Sequence, residues 1–362
     1  MKINLFNRMT NSKPGKLTGI LLILFIYFLF VGFHAVRPRL VWQYFLPGTA
    51  ASFRSLALAG PGVVWAGGTG NTWLRTVNGG KSWSSGQVPA AISTIDFRGV
   101  AATGRDTAWL MSAGESAKGL ALIYKTTSGG KNWNLQYADN TPGLFLDGIK
   151  FWDSQHGIVF GDPASGHFLI LRTDDGGETW KRLPAVDAPR QTRAEGAFAA
   201  SNTSLCLSSG GQAWIGTGGS GGGHVFHSAD FGRHWEKAST SLRADTSAGI
   251  FGLCFINPKL GVAVGGDYLK IHDRAVNAAL TTDGGRSWQN ASGFPDGLEE
   301  AAVYLPAARL LVAAGPSGTS SSADSGRHWL RIDTATFHSL AVSGNECWAI
   351  GARGKIARLS VR

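Results

Sequence analysis

The stretch Ser228-Ala229-Asp230-Phe231-Gly232-Arg233-His234-Trp235 is one of six copies of a box, Ser/Thr-x-Asp-x-Gly-x-x-Trp. The other copies are carried by Thr76, Asn78, Gly80 and Trp83, then by Thr126, Ser128, Gly130 and Trp133. Next come Thr173, Asp175, Gly177 and Trp180, then Thr281, Asp283, Gly285 and Trp288, and last Ser322, Asp324, Gly326 and Trp329. Their tryptophans are 50, 47, 55, 53 and 41 residues apart. A fixed element returning at that period marks a chain built of repeated units.

The box has the chemistry of a tight hairpin. A short Asp or Asn side chain is expected to bond backbone amides two residues on. The Gly supplies a positive φ, and the Ser or Thr hydroxyl bonds within the loop. The Trp opens the next strand and buries its ring against a neighbouring unit. Asp175, Asp230, Asp283 and Asp324, with Trp83, Trp133, Trp180, Trp235, Trp288 and Trp329, are therefore read as structural. Asn78 and Ser128 replace the acid in two copies, which argues against six catalytic centres.

The 362 residues suffice for one large all-β domain. Thirteen Trp and nineteen Phe argue for a packed core over disorder. The net charge of +10 would suit nucleic acid, but Lys2, Arg8, Lys13, Lys16, Arg37 and Arg39 supply much of it. Beyond them stand 28 basic against 24 acidic residues, without a basic run interleaved with aromatics. No nucleic-acid partner is expected. Cys206, Cys254 and Cys347 lack metal-site spacing and read as buried small apolar residues; a Cys206–Cys254 disulfide is the alternative. No metal or cofactor is expected.

Residues 17–36, LTGILLILFIYFLFVGFHAV, form an uncharged apolar run of membrane-spanning length. The basic segment 1–16 before it is expected in the cytoplasm. A cleaved signal peptide competes with this reading, but Phe33 and His34 before Ala35 make a poor cleavage site. The run reads as a signal anchor. Anchored in the inner membrane or exported, the remainder lies on the periplasmic side.

From Leu40 onward the sequence reads as short strands with Gly-rich punctuation. Four antiparallel strands per repeat make a propeller blade. First strands are expected near Phe53, Phe97, Leu146, Glu195, Ile250, Glu299 and Phe337, which is seven units against six boxes. The last unit stops after its third strand, at Ile356-Ala357-Arg358-Leu359. Trp42 stands 41 residues before Trp83, a normal repeat, so the strand it opens is expected to complete the last blade. The expected architecture is all-β, a seven-bladed propeller over 40–362, closed by an N-terminal strand and free of sheet edges.

The boxes Thr173 to Trp180 and Thr281 to Trp288 resemble those of Asp-box (bacterial neuraminidase repeat) propellers. With seven units and the ending Gly351 to Leu359, the chain is similar to the photosystem II stability/assembly factor-like branch over about residues 40–362. The resemblance implies an extracytoplasmic binding protein that assists assembly of membrane complexes. It is specific for fold and weakly specific for function.

In a propeller the boxes mark one face. Polar residues gather on the other, where aligned first strands start with Arg54, Arg98, Asp147, Glu195, Phe251, Glu299 or Glu300, and His338. The facing loops add Glu115, Asp162, His167, His224, Asp267, Tyr268 and His272. Two functions fit. One is a binding or assembly module, expected to be a monomer, that holds a protein or a polar or anionic ligand with Arg54, Arg98, Asp147, Glu195, Asp267, Tyr268 and His338. The other is a sialidase-like glycoside hydrolase, with Asp147, Asp162, Glu195 and Tyr268 as catalytic candidates and Arg54 and Arg98 clamping an anionic group. Ser52-Phe53-Arg54-Ser55 matches the N-terminal Arg motif of sialidases poorly. Gly216-Thr217-Gly218-Gly219-Ser220-Gly221 spells a dinucleotide fingerprint, but flanking strands without a helix make it a β–β loop.

Overall fold

The computed structural model describes residues 39–361 apart from 93. The basic segment 1–16 and the apolar run 17–36 lie outside them. Among the described residues no helix is long and apolar enough to cross a membrane.

Seven four-stranded antiparallel blades form a ring. Blade 1 is Phe53–Leu58, Val64–Gly68, Thr72–Thr76 and Ser84–Gln87. Blades 2 and 3 begin at Phe97–Ala102 and Leu146–Phe151, blades 5 and 6 at Ala248–Phe255 and Ala301–Leu305. First strands pack on one another around the axis, that of blade 7, Ser339–Ser343, returning to blade 1. Second strands lie between neighbouring blades and are largely buried, along their whole length in Val64–Gly68 and Ala108–Ser112. Their near-continuous apolar sequence follows from burial on both faces. Fourth strands, such as Ser84–Gln87, face solvent.

Leu40–Phe45 pairs with Ile356–Val361 in unbroken register, Leu40 opposite Val361 and Phe45 opposite Ile356. It is the fourth strand of blade 7, as its spacing predicts. Trp42 packs on Phe337 at 4.5 Å between ring centroids, and Phe45 on Trp348 at 4.9 Å. The closing strand is thus held by core contacts as well as by its ladder.

The box works through different bonds from those expected. Thr173 Oγ1 donates to Asp175 Oδ1 (2.7 Å) and accepts from the Gly177 amide (2.8 Å). Asp175 Oδ1 also accepts from the Thr179 amide at 3.0 Å, so the carboxylate reaches four residues on, not two. Ser228, Thr281 and Ser322 repeat the pattern. Only an acceptor is needed, and Asn78 Oδ1 and Ser128 Oγ supply it at 2.9 Å to the Ser82 and Asn132 amides. Burial opposes the charge on Asp175, Asp230 and Asp283, but these hydrogen bonds outweigh it and hold the carboxyls at about 2. Each box Gly sits against the preceding blade: Gly80 on Trp348, Gly177 on Trp109, Gly285 on Trp214. A Cβ on Gly177, at φ +75°, would stand 2.4 Å from Trp109 Nε1.

One strand start differs. Glu195–Gly196 pairs with Gly218–Gly219 and joins the sheet of blade 5. The first strand of blade 4 is Leu205–Ser208. The residues between do other work, described below.

Trp42→Ala is expected to destabilise the chain by about 3–5 kcal/mol, as for a buried Trp elsewhere, measured by denaturant unfolding. Gly177→Ala combines a strained φ with a clash and is expected to cost at least about 2 kcal/mol; an unchanged midpoint would show that the box does not lock adjacent blades.

Candidate functional site

The segment Phe198 to Ser204 crosses the axis of the ring. Asn202, at φ +64°, sends its Nδ2 to the carbonyls of Val100 (3.0 Å) and Ile149 (3.1 Å). Its Oδ1 accepts from the Ile149 amide at 2.8 Å. Ser201 and Thr203 hydroxyls donate to the Glu300 carbonyl (2.7 and 3.0 Å), and Ser339 Oγ donates to the Ser201 carbonyl (2.8 Å). One segment between blades 3 and 4 therefore bonds to blades 2, 3, 6 and 7. Ser201, Asn202, Thr203 and Ser204 are buried. They stopper the channel and divide it into two basins.

The basin opposite the boxes is the rim that the sequence singles out. Register shifts fall between Phe53 and Ser55, Phe97 and Gly99, Leu146 and Gly148, and Ile250 and Gly252. The residues skipped are Arg54, Arg98, Asp147 and Phe251. Each is the bulged residue of a first strand, and a bulge re-aims its side chain. That shared irregularity is why these positions behave alike.

Not all of them meet. Arg54 Nη1 lies 3.9 Å from Glu300 Oε1, and His338 Nδ1 is 2.7 Å from Glu300 Oε2, which links blades 1, 6 and 7. Glu300, not Glu299, is the mouth residue. Glu299 turns into blade 6, accepts from Ser320 Oγ at 2.6 Å and leaves Oε2 without a partner among the described residues. Burial raises its carboxyl to about 8, against the pull of Ser320 and Arg331 and with the push of Asp296 and Glu300. Arg98 donates to Asp96 Oδ2 (2.7 Å) and to the Ala199 carbonyl (3.3 Å), and so pins the crossing segment.

Of the three carboxylates considered as acid and base, Asp162 and Glu195 line a cavity of about 430 Å3 between blades 3 and 4. Glu195 Oε1 accepts from Thr217 Oγ1 and faces His224 Nδ1 at 3.0 Å, while Oε2 accepts from the Thr192 amide at 2.7 Å. Burial opposes its charge, yet those hydrogen bonds hold its carboxyl below the usual range. Both oxygens are committed to tying the 191–196 loop to blade 4. Asp162 Oδ1 accepts from the Ala197 amide at 3.0 Å, and burial raises its carboxyl. Asp147 is wholly buried behind, and Oδ2 has no partner among the described residues. Burial, then the Asp162 charge, pushes it well above the usual range, with Arg98 opposing.

The apolar part of the rim lies beside blade 5. Phe198 stacks on Phe251 at 4.3 Å and 9°, and Tyr268 meets the edge of Phe198 at 6.2 Å. Tyr268 and Leu269 are exposed. Asp267 fixes their loop, accepting from Ser247 Oγ (2.8 Å) and the Leu269 amide (2.9 Å) and facing Arg243 at 3.5 Å. Phe198 and the plug Ser201-Asn202-Thr203 were missed by the sequence reading. The signal available was the 55-residue interval from Trp180 to Trp235, the longest in the chain. Glu115 pairs with Lys118 at an exposed turn, and His272 is exposed. Gly216 to Gly221 is a β–β connection, and the three cysteines are free thiols. Among the described residues no group of three or more His, Cys, Asp or Glu is placed to hold a metal.

No family model and no curated protein sequence matches the chain. Solved structures do. YCF48 from Cyanidioschyzon merolae superposes with TM-score 0.64 at 17% identity, over 88% of this chain and 98% of that one. YCF48 bound to D1 peptide gives 0.63 at 17% identity, over 88% and 96%. A catalytically inactive virginiamycin B lyase from Staphylococcus aureus with quinupristin gives 0.62 at 13% identity, over 90% and 100%. The likeness is one of fold.

Asn202→Ala would leave three buried backbone groups unbonded and is expected to cost about 2–4 kcal/mol, read by denaturant unfolding. Glu299 has a folded value above its unfolded one, so the native state holds its proton longer. Its contribution is present below about pH 4.5 and is lost as pH rises through about 8. Glu299→Gln is therefore expected to flatten the fall in Tm between pH 5 and 8.5; an unaltered slope would reject the assignment.

Proposed function

We propose that this chain is a polypeptide-binding propeller of the assembly-factor type, anchored in the inner membrane by residues 17–36 with its propeller on the periplasmic side. In this reading it is an Asp-box propeller similar to the photosystem II stability/assembly factor-like branch. The binding face is the rim opposite the boxes. The observation that carries the reading is the exposed Tyr268 on the Phe198–Phe251 stack, above a stoppered channel. Arg54 and Arg98 stand at the same mouth, with side chains 29% and 34% exposed. Aromatic and Arg side chains at the centre of a concave, water-excluding floor are the usual anchors for a polypeptide. The peptide held by the YCF48 neighbour supports the same class of ligand.

The hydrolase alternative would need two carboxyls free to face one substrate. Glu195 is spent on its own loop and Asp147 is enclosed, leaving Asp162 facing the cavity with an oxygen to spare. Nothing here favours that reading.

The test is capture of proteins from membranes by the full chain in detergent. Tyr268→Ala, and separately Arg54→Ala with Arg98→Ala, are expected to lower recovery of a specific polypeptide at least about tenfold, the range of an interface hot spot, with Tm as the folding control. Recovery unaffected by either variant, together with turnover of a glycan library, would contradict the proposal.

A further inference from the structure

On the box side of the plug the channel is a blind well of about 490 Å3, floored by Ser201, Asn202 and Thr203. Strand register places one residue of each first strand at a common level of its wall. In six blades the hydroxyl residue of the box pairs with a second-strand residue, and the next residue of that strand marks the level. In blade 7, Trp348 takes that place, standing against Gly80 as Trp109 does against Gly177. The partners across the ladder are Ala57, Ala101, Lys150, Cys206, Cys254, Val303 and Ala341. All seven line the well.

Six of the seven are small and apolar, or thiols, which keeps the well open. The seventh is a lysine. Lys150 is the one charged side chain among the described residues lining the well, and no carboxylate there pairs with it. Burial pushes both neighbouring thiols above their ordinary range, against the Lys150 charge, so neither thiol supplies a counter-charge. Lys150 is half-buried, and with no acidic partner in the well its ammonium gains from an anion brought into the same space. A lysine is a point charge without the fork that grips carboxylate or phosphate bidentately, and one ammonium among apolar walls balances one negative charge. The walls, with Leu253, Leu340 and Val342, suit a slim apolar body, and the volume lies in the range of small-ligand pockets.

We propose that this well is a second binding site, for the carboxylate of a slim anion with an apolar body, with Lys150 as its counter-ion. The carboxylate belongs either to a small alkyl acid or to the C-terminus of a peptide. The site lies on the box face and does not depend on what the rim binds.

The experiment is calorimetric titration of the full chain in detergent with four probes. These are pentanoate, pentanamide, N-acetyl-trialanine, and the same peptide as its C-terminal amide. Alkylation of the half-exposed Cys206 by N-ethylmaleimide, mapped by mass spectrometry, reports occupancy of the well. At least one carboxylate is expected to bind about tenfold more tightly than its amide, the scale of one charge-assisted contact, and to slow labelling of Cys206. Which carboxylate binds tells a free acid from a chain terminus. Lys150→Met should remove the preference and Lys150→Arg retain it. Equal binding of acid and amide, binding unaltered in Lys150→Met, or no binding by either carboxylate would overturn the site.

Discussion

A ring of seven sheets leaves a hole on its axis, and something must fill it. Burying the inward faces of seven first strands around an empty shaft would forfeit packing along its length. Here the chain fills its own shaft. Asn202 satisfies two carbonyls and an amide on blades 2 and 3, while Ser201 and Thr203 bond toward blades 6 and 7. Because the bridge is polar and hydrogen-bonded to several blades, it does not simply cap the core. It sets the depth of both basins and fixes Phe198 at the base of the rim. The aromatic floor of one face and the blind end of the other follow from the same seven residues.

The electrostatics follow that division. Around the rim, carboxylates that belong to the scaffold are either held by hydrogen bonds or raised in pKa by burial. Glu195 is the first kind; Glu299 and Asp147 are the second. Ionisable side chains at the mouth are linked as Arg54–Glu300–His338 and as Arg98–Asp96. On the box side the situation reverses, and a lone lysine stands where the other blades place Ala, Val or Cys. The two ends of the channel thus offer different recognition chemistry within one rigid ring.

The repeat, the seven blades and the closing strand were legible in the sequence because each depends on local, periodic chemistry. Six boxes count six hairpins, and Trp42 falls one period before Trp83. The mouth positions Arg54, Arg98, Asp147 and Phe251 were aligned correctly because a recurring bulge puts the same residue in the same place. The alignment also reached His338, whose strand has no such bulge, and failed in blade 4. In blade 4 the expected first strand is the axial bridge, whose bonds go to blades far away in sequence, and no local pattern announces them. At Glu299 and Glu300 the phase of alternation at the strand start was undetermined, and only packing on Ser320 selects which carboxylate turns inward. Lys150 carried no signal at all, since its meaning rests on what six other blades place at its level.

We propose the rim opposite the boxes as the face that meets a polypeptide. It is tested most directly by placing the photo-crosslinker p-benzoylphenylalanine at Tyr268 and, in a second protein, at Thr282 within an exposed box turn. Each full-length chain is irradiated in its own membranes. The rim reading predicts a discrete crosslinked polypeptide from position 268, whether or not position 282 captures one. Crosslinks from 282 with none from 268 would contradict it.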